Sequence, residues 1–492
     1  MSVRNRLLIV SNRLPVTVTR DGAHPSIRPS SGGLVSALLS ILQNCGGCWV
    51  GWPGTDNDAA IADSVKAFGL PDYSLEPVFL SMEEETRFYH GCSNEIIWPL
   101  FHDLQSRCNF DPAYWTVYCE ANEKFADAVE RMVRKDDLVW VHDYHLMVLA
   151  DALRSRGLRS TLAYFHHIPF PGPDIFEKLP WRREILHSLL KFNLIGFQTD
   201  RDRTNFFACV RRHLHNVHVQ RIGSKFLMRA EGLCCAVGTF PISIDFQKFS
   251  VGASRHEVLL QAKEIQSSVG SADIVLGIDR LDYTKGIPER LRGFRALLEA
   301  HPELLGRVVL LQVIVPSREG IAEYHDLKER IEKLVSGING EFGRPGWTPV
   351  VYMHKCLSSF ELLAYYRAAH VALLTPLKDG MNLVAKEFCA SRTDERGALV
   401  LSEFAGAAVE LAPGALLVNP YDADGIASAL RVALRMSAAE QTDRLRKMRA
   451  VIERNDIFHW FRAFCGQSPA HDVFLMSGIR PASQTATAAQ AG

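Results

Sequence analysis

Arg13, Asp143, His167, Arg280, Lys285, Arg318 and Asp379 each stand just past a short apolar run. Arginine forks grip phosphate in a bidentate way, and lysine supplies a compact point charge. Carboxylates accept from sugar hydroxyls, and imidazole donates or accepts near neutral pH. Four cations with two carboxylates suit an enzyme for anionic, hydroxyl-rich substrates. Three further stretches carry the same chemistry. In Ser30-Ser31-Gly32-Gly33, Gly32 and Gly33 open an apolar helix pattern. There backbone N–H groups can approach an anion at a helix N-terminus, although a plain strand-to-helix turn reads as well. IDRLDYTKG (278–286) brings Arg280 and Lys285 beside a helix start, as a diphosphate cradle would, or leaves them as solvated loop charges, with Asp282 able to pair with either. LKDGMNLVAKE (377–387) puts Asp379 and Gly380 at a turn and starts a helix near Met381. Glu387 then lies two turns in, placed for a bidentate grip on paired ribose hydroxyls or as a surface glutamate behind an N-cap aspartate.

HDYHL (142–146) and FHHIPFP (165–171) hold four histidines and Asp143, but show no helix-spaced pair of ligands. They read as hydrogen-bonding or acid/base groups, with Asp143 beside His167 gripping sugar hydroxyls, and a metal site as the rival. YHGCSNEIIWP (89–99) places Tyr89 and Trp98 around a polar turn, either as the floor of a sugar pocket or as core. Cys45-Gly-Gly-Cys48 has metal or redox spacing without a second pair, and reads as two loop cysteines. Fingerprints for a Rossmann dinucleotide site, a P-loop and a nucleophile elbow are missing, which leaves those classes unsupported.

Such groups need strands to present them. Nine apolar runs supply the strands: residues 6–13, 137–143, 161–171, 194–200, 273–286, 308–318, 371–382, 398–406 and 415–422. Continuous runs of this length suit strands buried on both faces of a parallel sheet. They alternate with helical patterns such as GGLVSALLSILQN and IPERLRGFRALLEAHPE, the signature of an α/β fold. Ligands of open α/β sheets bind beyond the carboxyl ends of the strands, where the charged residues lie. The 492 residues exceed one ordinary core. A first domain is expected over 1–240, and a second over 241–453, entered through a Pro/Gly/Ser connection at 241–254. An aromatic amphipathic segment at 454–480 is expected to pack back on the first domain, followed by a disordered tail at 481–492.

Lys+Arg and Asp+Glu both number 55, which argues against nucleic acid as a partner. No apolar window is long enough to span a membrane. Eleven scattered cysteines suit free thiols and a cytoplasmic location. The oligomeric state is left open, a homo-oligomer included.

Taken together, LLIVSNRLP, FHDL, WVHDYHL, FHHIPFPGPDIFEKLPWR, GFQTDRDRTNF, FPISID, DRLDYTKGIPERL, GINGEFGRPGW, TPLKDGMNLVAKEF, LSEFAGAA and VNPYD run in order through nearly the whole chain. In these strings it resembles the trehalose-6-phosphate synthase family, retaining glycosyltransferases of the GT-B fold. That resemblance implies two Rossmann-like, doubly wound parallel-sheet domains facing a deep cleft. It implies transfer of glucose from UDP-glucose to glucose 6-phosphate, with no cofactor and no metal. Arg13, Tyr89, Trp98 and Arg318 would then form the acceptor pocket. Asp143 and His167 would meet the sugars, with Asp143 also touching the acceptor. Arg280 and Lys285 would hold the donor diphosphate and count with Asp143 and His167 as catalytic. Gly32 and Gly33 would border the donor, Asp379 would bind its glucose and Glu387 its ribose, assisted by backbone N–H groups of Met381, Asn382, Leu383 and Val384. The insert VTVTRDGAHPSIRPS departs from the shorter loop of the family, and no room is left for the phosphatase domain that some relatives carry. Asp422-Ala-Asp424 reads as a helix N-cap. Another nucleotide-glucose donor, glycerol 3-phosphate as acceptor, a non-catalytic sugar-phosphate sensor and a metal-dependent hydrolase are the alternatives.

Overall fold

The structure is a computed structural model that describes residues 6–21, 24–29, 32–55, 59–68, 73–317 and 321–466. All nine apolar runs form strands. The described residues fall into two compact units, one running to Phe240 and resuming at Phe458, the other spanning Pro241–Ile457.

The first unit is built from β1 (Leu7–Arg13), the hairpin β2 (Val16–Asp21) and β3 (His24–Pro29), β4 (Gly47–Trp52), β5 (Tyr73–Pro77), β6 (Leu138–His142), β7 (Thr161–Phe165), β8 (Leu194–Phe197), β9 (His218–Ile222), β10 (Lys225–Ala230) and β11 (Leu233–Thr239). Nine strands form a sheet in the order β5-β4-β1-β6-β7-β8-β11-β10-β9. The chain builds outward from β1 through β4 and β5, then restarts on the other side of β1 with β6. The order therefore reverses between β1 and β6, where open sheets place their ligands. Parallel pairing holds from β5 to β11, and only the β11-β10-β9 edge is antiparallel. The expected parallel sheet is present, and the antiparallel edge extends it. Glu231 and Gly232 both have positive φ, 48° and 81°, in the two-residue loop between β10 and β11. Such a loop closes a tight hairpin whose twist matches its strands. The insert of residues 16–30 contains the separate hairpin β2–β3, whose register runs from Val16↔Pro29 to Asp21↔His24.

The returning C-terminal helix, Ile457–Cys465, lays its aromatic stripe on this sheet. Trp460 stands 5.0 Å from Trp140 and 4.9 Å from Phe165, and its indole N–H donates to Phe240 O at 3.0 Å. Gly196 in β8 explains its own presence: an added Cβ would sit 2.7 Å from Phe464 and 2.8 Å from Phe165.

In the second unit lie β12 (Asp273–Arg280), β13 (Val308–Val315), β14 (Val350–His354), β15 (Val371–Leu374), β16 (Ala398–Ser402) and β17 (Leu416–Val418). Their order is β14-β13-β12-β15-β16-β17, and every pairing is parallel. Here the reversal lies between β12 and β15. The segment 241–254, read from sequence as a connection, contains the helix Phe246–Ala253. Asp245 caps it by accepting from Lys248 N, a side-chain signal that the Pro/Gly/Ser composition masked. Asp422 is the N-cap of Ala423–Arg435, accepting from Gly425 N at 2.9 Å, as its spacing suggests.

Candidate functional site

At the first reversal, the tips of β1 and β6 carry Arg13 and Asp143. Arg13 is exposed, and its guanidinium lies 4.3 Å from the Trp52 ring centre and 5.7 Å from that of Tyr89. Trp52 is fully buried, meets Tyr89 edge-on at 5.6 Å and donates its N–H to Thr55 O. Gly54 has φ +88°, and a Cβ there would fall 1.9 Å from Arg13 Nη1. Two rings and a bare backbone thus seat the guanidinium without neutralising it.

Tyr89 does not border a turn. It lies inside a π-helix, Glu85–Ile97, followed by the short helix Trp98–Phe101. The polar residues Ser93 and Asn94 that read as a turn are internal there. Asn94 is 2% exposed, donates to Tyr89 O at 2.6 Å and accepts from Tyr144 Oη at 2.8 Å. Wide π turns recur at functional sites because they re-aim side chains. Trp98 is 5% exposed and packs 4.3 Å from His102 and 5.6 Å from Tyr144, as a wall behind the turn after β6.

Asp143 itself has φ +74°, a conformation that aspartate tolerates better than most residues. Its backbone N–H donates to Phe165 O, and its Oδ1 accepts from His167 N at 3.2 Å, so β6 and β7 are locked at their tips. His167 Nε2 stands 3.0 Å from His142 Nδ1, and its Nδ1 stands 3.4 Å from Gln198 Nε2. Burial pushes His142 and His166 down to about 3. Burial also holds His167 well below its ordinary value, helped by the neighbouring imidazoles. All three are therefore neutral near pH 7. Two nitrogens on one tetrahedral zinc would stand about 3.3 Å apart, given bonds of about 2.0–2.1 Å. The observed 3.0 Å is a hydrogen bond. Among the described residues no group of three or more His, Cys, Asp or Glu side chains is placed to hold a metal ion.

At the second reversal, the tips of β12 and β15 are tied together. Gly286, at φ +60°, approaches so closely that a Cβ would stand 2.0 Å from Thr375 O. Thr375 Oγ1 donates to Gly286 O and Leu377 N to Thr284 O. Asp282 is fully buried and accepts from Thr284 N and Oγ1, which fixes the turn that carries Lys285. Arg280 is exposed and makes no ion pair among the described residues. Lys285 does: its Nζ donates to Asp379 Oδ2 at 2.5 Å. Beneath them, fully buried Arg290 donates to Asp279 Oδ2 at 2.5 Å and to Gln312 Oε1 at 3.2 Å, bracing the end of β12.

The helix after β15 starts at Leu383, two residues later than the sequence suggests. Asn382, at φ +77°, is its N-cap and accepts from Ala385 N at 3.1 Å. Met381 N is turned back to Asp379 Oδ1 at 3.4 Å. Leu383 and Val384, in the first turn, have no intrahelical acceptor for their N–H groups. Glu387 is 9% exposed and bonded to Tyr366, not a surface residue. Burial raises its carboxyl above the usual range, and the Tyr366 hydroxyl opposes that rise.

Gly32 and Gly33 stand at the start of the helix Gly33–Cys45, which has no side-chain cap and no acid in its first turn. Arg318 lies outside the described residues. The structure thus joins Arg13 with Tyr89, Asp143 with His167, and Lys285 with Asp379 and Asn382. The residues missed from sequence are Trp52, Gly54, Gln198, Arg290 and Tyr366. WVGWPGT (49–55) held a usable signal, an apolar run ending in Pro-Gly.

Comparison with known proteins gives one family model, glycosyltransferase family 20, matching residues 5–468. A bifunctional trehalose-6-phosphate synthase/phosphatase of Thermoproteus tenax is 43% identical over 469 residues. The match covers 92% of this chain and 62% of that protein, so the chain spans less than two thirds of its length. A Burkholderia xenovorans alpha,alpha-trehalose-phosphate synthase (UDP-forming), solved in complex with glucose-6-phosphate, superposes with TM-score 0.87 at 33% identity, covering 96% of this chain and all of that one. An E. coli trehalose-6-phosphate structure bound with UDP-2-fluoro glucose gives TM-score 0.85 at 34% identity, covering 97% and 100%.

Proposed function

The chain belongs to glycosyltransferase family 20, and from that premise we propose that it transfers glucose from UDP-glucose to glucose 6-phosphate, forming α,α-trehalose 6-phosphate and UDP with retention at the anomeric carbon. One observation carries the reading: anion-gripping and hydroxyl-gripping residues stand at the strand reversal of each sheet, Arg13 and Asp143 in one, Arg280, Lys285 and Asp379 in the other.

In this reading the first unit holds the acceptor. Arg13, backed by Trp52 and Tyr89, takes the acceptor phosphate at full charge. Asp143 and neutral His167 orient hydroxyls at the reacting centre. The second unit holds the donor. Lysine has three donors, so Lys285 can keep Asp379 and still give N–H groups to a diphosphate. Arg280 adds a second cation to the same oxygens. Asp379 binds the donor glucose and Glu387 the ribose.

Retention through a double displacement needs a carboxylate nucleophile with a partner acid about 5–5.5 Å away. Asp143 and Asp379 are instead committed to His167 N and Lys285. Attack on the face the diphosphate leaves, with the departing phosphate oxygen as base, fits these residues better. Catalysis then rests on positioning the acceptor hydroxyl and stabilising charge on the leaving group.

The test is UDP release and product analysis with UDP-, GDP- and ADP-glucose, each with and without glucose 6-phosphate. The reading expects a non-reducing disaccharide phosphate that requires both UDP-glucose and glucose 6-phosphate. Equal turnover with glycerol 3-phosphate, or donor hydrolysis alone, overturns it.

A further inference from the structure

A carboxylate that reads two adjacent hydroxyls has to be held in one rotamer with an oxygen edge open. Glu387 meets the first condition through a single neutral donor. Tyr366 Oη donates to Glu387 Oε2 at 2.7 Å, across two helices 21 residues apart in sequence. Tyr366 is fully buried. It is itself fixed: its helix, Ser359–Ala368, starts with a capping box of Ser358 and Glu361, and its carbonyl accepts from Arg392 Nη1 at 3.0 Å. Its ring meets Phe388, the residue after Glu387, edge-on at 6.4 Å. The Glu387 carbonyl accepts from Ser391 Oγ at 2.8 Å, pinning the helix turn that carries the carboxylate.

We propose that Tyr366 is a positioning residue that holds Glu387 ready for the ribose diol of the donor, and that this pair sets a preference for ribonucleotides over deoxyribonucleotides. The proposal rests on the donor reading above. A phenol suits the task better than a lysine or arginine. It fixes the rotamer with one hydrogen bond and leaves the carboxylate its charge, so that both ribose hydroxyls can donate to it. Without the phenol, the buried carboxylate loses the side-chain donor that fixes it, and both its geometry and its ionisation are released.

The experiment is calorimetric binding of UDP, 2′-deoxy-UDP and 3′-deoxy-UDP to the wild type, Tyr366→Phe, Glu387→Gln and the double variant. Hydrogen bonds to charged groups support changes of about tenfold or more. The wild type is expected to bind UDP at least about tenfold more tightly than either deoxy analogue. Tyr366→Phe is expected to weaken UDP by about tenfold and the analogues by less than about twofold, collapsing the ratio. The double variant removes the buried charge that Tyr366→Phe leaves unpaired, so it folds if the single variant does not, and it is expected to match Glu387→Gln. A folded Tyr366→Phe protein with the wild-type ratio overturns the proposal. So does a double variant that binds UDP a further tenfold more weakly than Glu387→Gln. A wild type that does not distinguish UDP from its deoxy analogues overturns the proposal together with the donor reading it rests on, whereas a wild-type preference that survives Tyr366→Phe overturns the proposal alone.

Discussion

The two strand-reversal sites hold their cations in opposite ways. In the first unit, Arg13 lies over Trp52 and near Tyr89, and the imidazoles around Asp143 are held neutral. In the second, Lys285 is bonded to Asp379 and Arg290 to Asp279, each within 2.5 Å. Aromatic support orients a guanidinium and leaves its charge undiminished for an incoming anion. A carboxylate partner orients an ammonium more tightly but shares its charge. The first arrangement suits an acceptor phosphate that must bind and stay inert. The second suits a leaving group whose charge grows during the reaction, where a preorganised cation gains most.

The largest expected effect tests the second site. Lys285→Ala is expected to lower kcat at least ~10²-fold, since losing one preorganised donor to developing charge costs about 2.7–4 kcal/mol. Steady-state kinetics on a variant with an unchanged far-UV spectrum check this, and activity within threefold of wild type would break the contrast. Next comes the seat of Arg13. Gly54→Ala puts a methyl group where Nη1 lies and places alanine at φ +88°. The displaced atom is the end of a flexible side chain, so the expected stability loss is about 1–3 kcal/mol from backbone strain. The acceptor KM is expected to rise about tenfold, with the donor KM unchanged. An unchanged acceptor KM means that the rings alone position Arg13.

The neutral histidines give the first unit its own pH signature. His166 has a folded value of about 3 against an ordinary 6.5, and is bonded to Tyr164 Oη at 3.0 Å. Between those values the unfolded chain takes up a proton that the folded one refuses. Its stabilising contribution is therefore complete above pH 6.5 and is lost as pH falls toward 3. The slope approaches 1.4 kcal/mol per pH unit for one group. His166→Gln is expected to flatten the fall in stability from pH 6.5 to 5 by up to about 2 kcal/mol, read by urea denaturation at several pH values. A parallel curve for the variant contradicts the neutral assignment. The smallest expected effect is none: activity is expected to survive exhaustive EDTA treatment, because Arg280 and Lys285 supply the charge that diphosphate chemistry requires. Loss on chelation, restored by a divalent cation, refutes that.

Much of this was legible because of where it lies. Strands buried on both faces must be continuously apolar, and a cation that ends such a run stands out, as Arg13 and Arg280 do. Strands with a wet side or small residues do not announce themselves. β5 carries Glu76, ion-paired to Lys66 and Arg131; β4 begins Gly-Cys; β9 is mostly exposed at the sheet edge. Polar residues buried inside the protein also mislead, as Ser93 and Asn94 did in the π-helix. Roles made by distant packing leave no local trace. Nothing near Tyr366 in sequence marks it as a partner of Glu387, and nothing near Gly54 marks it as the space Arg13 fills.

In the proposed reading the first unit holds the acceptor and the second the donor nucleotide. Calorimetric titration of UDP and of glucose 6-phosphate into Arg13→Ala and Lys285→Ala tests it most directly. Arg13→Ala is expected to weaken glucose 6-phosphate by about tenfold or more and to leave UDP within about twofold, while Lys285→Ala is expected to do the reverse. Weakened UDP binding with unaltered glucose 6-phosphate binding in Arg13→Ala would contradict it.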